Sequence, residues 1–123
     1  MDKPDVSVSP PRIVVVGPCA SGKSTLVSQL LDAGYDARVV AQEHSAIRDL
    51  WAKRHPDIVV ALDLDLDTLR ARRSPEWSAE VFAQQHERLR SAFDAADLII
   101  DTSVHGEKET AAMVFELLNM RRA

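Results

Sequence analysis

The chain has 123 residues, 46% of them hydrophobic, and a net charge of -4. That length suits one domain around a single α/β core, and the acidic balance argues against non-specific nucleic-acid binding. No apolar run approaches the roughly 20 residues of a membrane-spanning helix, and the lone cysteine, Cys19, can form no intrachain disulfide, which points to a cytoplasmic setting.

The first segment, residues 1–11, is polar, carries three prolines and reads as a flexible leader, with one domain over 12–123. Arg12–Val16 is a β-branched apolar run expected as a buried strand. A helix follows over Lys23–Ala33, with Leu26, Val27, Leu30 and Leu31 on one face and Gly34 as its stop. A second strand is expected over Asp36–Gln42 and a short helix near Ser45–Arg54. Ile58 to Leu62 give a third strand over Asp57–Asp63. Leu66–Arg73 reads as a helix, with Asp65 as its N-cap and Asp67 in its first turn. Ser74-Pro75-Glu76 then reads as the start of a long helix to Ala95, in which Gln84 to Glu87 are expected to be solvated. A fourth strand over Asp97–Asp101 and a helix near Glu107–Arg121 complete the chain. Continuous apolar strands alternating with helices imply a parallel sheet covered on both faces.

Between the first strand and first helix lies Gly17-Pro18-Cys19-Ala20-Ser21-Gly22-Lys23-Ser24, a full match to G-x-x-x-x-G-K-[ST]. Average composition gives such a match by chance in roughly half a percent of chains this long. The glycines let the backbone approach an anion, successive N–H groups cradle it, Lys23 adds charge, and the Ser24 hydroxyl suits Mg²⁺. Lys23 is expected to have no role in the core. Cys19 occupies a variable position of the motif and reads as incidental.

With Thr25, this loop resembles that of the P-loop nucleotide and small-molecule kinases. Two further stretches are similar to that family: Ile58 to Arg73, a strand ending in Leu-Asp followed by an arginine-bearing helix, and Ala96 to Ser103, like the last core strand of thymidylate, shikimate and dephospho-coenzyme A kinases. The resemblance implies a three-layer α/β P-loop fold that binds ATP with Mg²⁺ and transfers phosphate to a small acceptor. The alternative is a nucleotide-binding or slowly hydrolysing regulatory module without an acceptor. By resemblance, Gly17 to Thr25, Arg72, Arg73 and Ser103 bind the nucleotide, and Lys23 and Arg72 act in transfer. Adenine is the family default, since no Asn-Lys-x-Asp is present.

Two departures stand out. The strand that carries the acidic metal ligand in that family is missing between Ala41 and Asp57, so a four-stranded sheet of order 2-1-3-4 is expected. The lid between the arginine helix and the next helix shrinks to Arg73-Ser74-Pro75, which works against efficient transfer. With the second strand beside the first, Glu43 becomes the substitute metal ligand or base, together with Ser24, and Asp63 is the next candidate. His44 and Ser45 are expected to face an acceptor, and Arg48, Lys53, Arg54 and His55 to form a basic rim on that side. Trp51 and Trp77 read as packing residues. The four histidines fit no zinc signature by their spacing.

Overall fold

The computed structural model describes residues 10–122; the part of the expected leader in 1–9 lies outside them. Four strands, β1 (Arg12–Val16), β2 (Asp36–Val39), β3 (Ile58–Asp63) and β4 (Leu98–Asp101), form one sheet of order β2-β1-β3-β4. All three pairings are parallel, with Val15 opposite Val39 and Val60, and Leu62 opposite Ile100. The helices are α1 (Lys23–Asp32), α2 (Leu66–Arg72), α3 (Ala79–Ala95) and α4 (Glu107–Arg122).

The pleat sends alternate side chains to opposite faces, and both faces of β1 and β3 are apolar, so each face carries its own core. Ile13, Val15, Ile58, Val60 and Leu62 pack with Leu26 and Leu30 of α1 and Val114 and Leu118 of α4. Val14, Val16 and Ala61 pack on the other face with Leu89 and Ala92 of α3. Each fully buried Leu or Ile contributes about 1.5–3 kcal/mol.

Three boundaries differ from expectation. β2 stops at Val39 because the chain then tightens into a 3-10 turn, Gln42–His44, whose Gln42 side chain ties it to Ile47 O and Trp51 N. The expected helix at Ser45–Arg54 is only a five-residue 3-10 segment, Leu50–Arg54. Finally, α3 starts at Ala79 rather than Pro75. Ser78 accepts from Glu80 N and Val81 N and so is the true cap, while Ser74 holds only a local turn to Glu76 N. Asp65 caps α2 as expected, accepting from Thr68 N at 2.7 Å, and this bond is the leading reason its carboxyl titrates below the usual range. No helix among the described residues is long and apolar enough to cross a membrane.

Candidate functional site

The sheet order reverses between β1 and β3, and ligands of open α/β sheets bind at the carboxyl ends of strands beside such a switch point. Loop 17–22 occupies that place. It turns tightly, with Ser21 N donating to Pro18 O at 3.2 Å and Ala20 and Gly22 at positive φ. Gly22 caps α1 with no side-chain hydrogen bond, so the first-turn N–H groups of α1 have no capping acceptor from it. These are the groups that receive an anion at a helix N-terminus.

Lys23 points back under the loop. Its Nζ donates to Gly17 O at 2.8 Å and Pro18 O at 2.9 Å, and pairs with Glu43 Oε2 at 2.8 Å. The Lys23 and Glu43 side chains are 11% and 4% exposed, so this is a buried ion pair, and Glu43 Oε1 has no hydrogen-bond partner. The expected absence of a core role for Lys23 is therefore wrong. Adjacency of β2 and β1 does bring Glu43 beside the loop. Ser24 and Thr25 are exposed at the start of α1. The Ser24 hydroxyl and the Glu43 carboxylate are hard oxygen donors of the kind Mg²⁺ takes.

The remaining expected residues divide. Arg72 donates to Ala20 O at 2.8 Å and to Thr102 O at 2.7 Å, bracing the loop against the end of β4. Arg73 lines an open recess of about 280 Å³ with Gly22, Ser24, Thr25 and Arg72. Ser103 Oγ accepts from Asp65 N and ties β4 to the start of α2. Asp63 is held by His86 Nε2 at 2.8 Å, on the α3 side. His44 reaches Cys19 Sγ at 3.6 Å, while Ser45 Oγ closes a local turn on Ile47 N. Lys53, Arg54 and His55 line a groove with Arg12 and Asp36, at the amino ends of β1 and β2, so they form no rim at this site.

Two contributors escaped the sequence reading. Gln85 lies in a stretch expected to be solvated, yet it is 2% exposed; its Oε1 accepts from Cys19 N at 3.0 Å and its Nε2 donates to Cys19 Sγ at 3.3 Å. Thr102 Oγ1 donates to Ser21 O at 2.9 Å and so links the loop to β4. Beside them a cavity of about 240 Å³ opens between α1 and the start of α4, lined by Gln29, Leu62, Thr102, Gly106 and others. Ser21 Oγ and Thr110 Oγ1, both on its wall, are buried without partners.

His86 is a second departure from the solvated reading. Asp63 raises its pKa by accepting a hydrogen bond from the imidazolium, against the opposing effect of burial. A raised folded-state value stabilises the fold fully below the ordinary histidine pKa, about 6.5. That stabilisation fades as pH rises through the folded value. The melting-temperature gap between wild type and His86→Asn should therefore be widest in mild acid and shrink in alkali; a gap that widens with pH would contradict it.

No family model matches the chain, and no curated protein matches it. Among solved structures, it is similar to a response regulator protein from Burkholderia multivorans, with a TM-score of 0.47 and 19% identity over 92% of this chain and 96% of that chain. That likeness assigns no activity to this chain. The kinase resemblance is nevertheless corrected: a solved structure that the chain matches is a response regulator, not a P-loop kinase. Membership of the P-loop kinases, the ATP-binding phosphotransferase reading and the alternative of a nucleotide-binding or slowly hydrolysing regulatory module are not retained. The physical reason is visible in the chain. The motif is a local match, whereas the strand with the acidic ligand is absent from the sheet. Only residues 73–78 separate α2 from α3, and Arg72 is engaged with the protein's own carbonyls.

Proposed function

We propose that this protein is a binding module for a small phosphate-bearing ligand. The phosphate sits on the loop at 17–24, and the rest of the ligand enters the neighbouring cavity. The observation that carries this reading is the α1 N-terminus without a side-chain cap, opening beside a cavity that holds two unpartnered buried hydroxyls. A glycine-rich turn leading into a helix N-terminus offers N–H donors and a positive dipole end to an anion. Ser21 and Thr110 then offer hydrogen bonds to the ligand's organic part, where leaving them unmade is costly. The exposed Ser24 hydroxyl would ligate Mg²⁺ if the ligand brings it. A cytoplasmic location is part of this proposal, supported by the single free cysteine.

The test is thermal and urea unfolding with inorganic tripolyphosphate and, separately, with ATP and Mg²⁺ as a probe carrying an organic part. A ligand at about 100 times its dissociation constant should stabilise the fold by roughly 2.7 kcal/mol. Tripolyphosphate alone should act through the loop, and ATP with Mg²⁺ should act more strongly if the cavity accepts its base. Unfolding curves unmoved by either probe would overturn the reading.

A further inference from the structure

We propose that Cys19, Glu43 and His44 form a binding site for a zinc-type divalent metal at the base of the loop. Sequence spacing hides this site, because Cys19 stands 25 residues from His44 and reads as incidental. The fold brings them together. β2 lies beside β1, so the 3-10 turn after β2 meets the loop after β1. Cys19 Sγ lies 3.6 Å from His44 Nε2, and His44 Nε2 lies 3.7 Å from Glu43 Oε2. One donor atom from each of the three residues falls within 4.8 Å of the others.

The sulfur–nitrogen separation is close to the one a metal imposes. Tetrahedral zinc, with bonds of about 2.3 Å to sulfur and 2.0 Å to nitrogen, sets sulfur and nitrogen about 3.5 Å apart. A nitrogen and a carboxylate oxygen on the same ion lie about 3.3 Å apart, so the Glu43 carboxylate needs only a small shift. The donor set of thiolate, imidazole and carboxylate selects zinc, or cobalt as its substitute, over magnesium.

Two independent observations support a ligand here. Glu43 keeps a buried oxygen, Oε1, with no partner, a vacancy in hydrogen bonding that a buried carboxylate rarely tolerates. Gln85 also grips Cys19 from both sides, its Oε1 on Cys19 N and its Nε2 donating to Sγ. An amide donor aimed at sulfur orients and stabilises a thiolate ligand, as outer-shell groups do at metal sites. The His44 side chain is 58% exposed and gives the metal its way in. Three protein ligands leave a fourth position for water. On binding, Cys19 loses its thiol proton to solvent and His44 coordinates as the neutral imidazole. Lys23 stays close to Glu43 and opposes the metal's charge.

The experiment is titration of the whole, reduced protein with Co²⁺ alone, in buffer free of phosphate compounds and of chelating tags. A thiolate-to-cobalt charge-transfer absorption should appear at one equivalent, and Zn²⁺ should displace it while excess Mg²⁺ should not. Cys19→Ser should remove the band. His44→Ala, at an exposed side chain, should weaken Co²⁺ binding by at least about tenfold with unchanged far-UV circular dichroism. Absence of the band in wild type, or equal affinity in His44→Ala, would overturn the site. No phosphate-bearing ligand is present in this experiment, so its outcome is independent of the proposed binding function.

Discussion

Lys23→Met should destabilise the fold by about 3–5 kcal/mol, the range for stripping one partner from a buried ion pair. The methionine keeps the length and apolar stem but removes the charge, leaving the Glu43 carboxylate buried with neither oxygen matched to a cation. The carbonyls of Gly17 and Pro18 lose their donor as well. The double variant Lys23→Met/Glu43→Gln should recover much of the loss, because no charge is then stranded. Recovery stays partial, since the two loop carbonyls remain without Nζ. Glu43→Gln alone should cost about 1–3 kcal/mol, as Lys23 keeps both carbonyls. Urea unfolding of the four proteins gives the coupling energy directly. A double variant whose loss equals the sum of the two single losses would show that Lys23 and Glu43 do not act as a pair.

The sheet was legible because its strands are long apolar runs in a parallel setting. Ile13 to Val16 and Ile58 to Leu62 are buried on both faces, and that double burial writes itself as uninterrupted hydrophobicity. The order β2-β1-β3-β4 followed from the kinase resemblance with one strand removed, since the interval from Ala41 to Asp57 cannot hold another strand with its crossover helix. The position of Glu43 beside the loop followed from that order. What stayed hidden was what the polar side chains do with one another. Gln85 looks like any polar residue in a solvated stretch, and only the seating of α3 against the loop makes it a clamp on Cys19. Arg72 was expected to meet a ligand because of its position on α2, yet three of its guanidinium hydrogen bonds go to Ala20 and Thr102. Ser74 and Ser78 both precede helix-forming residues, and propensity alone could not choose between them; Ser78 won because its hydroxyl reaches two open N–H groups. The functional class was misjudged for a related reason. A glycine-rich loop with lysine and serine states that a phosphate can bind, but says nothing of what the other strand ends supply.

Gly17→Ala should cost about 3 kcal/mol or more, at or beyond the top of the usual range for overpacking. A Cβ on Gly17 would lie 2.5 Å from Ser21 Oγ and 2.6 Å from Leu62 O. The serine hydroxyl has no partner and can rotate away. Leu62 O cannot, because it is main chain of β3 in register with Ile100 of β4. The clash must therefore move the loop off the sheet or β3 off its neighbour, and either opens the packing under the loop proposed to take the anion. The other loop glycine differs in kind. A Cβ on Gly22 meets nothing within 4 Å, but its φ of +99° is costly for an L-residue, so Gly22→Ala should lose about 1–3 kcal/mol through backbone strain. Gly106 has open space and no such φ, and Gly106→Ala should fall within about 0.5 kcal/mol of wild type. Urea unfolding of the three variants should rank them Gly17, Gly22, Gly106 in descending loss. Wild-type stability in Gly17→Ala would mean that the loop does not rest on the end of β3, and the proposed anion cradle would lose the support that holds its shape.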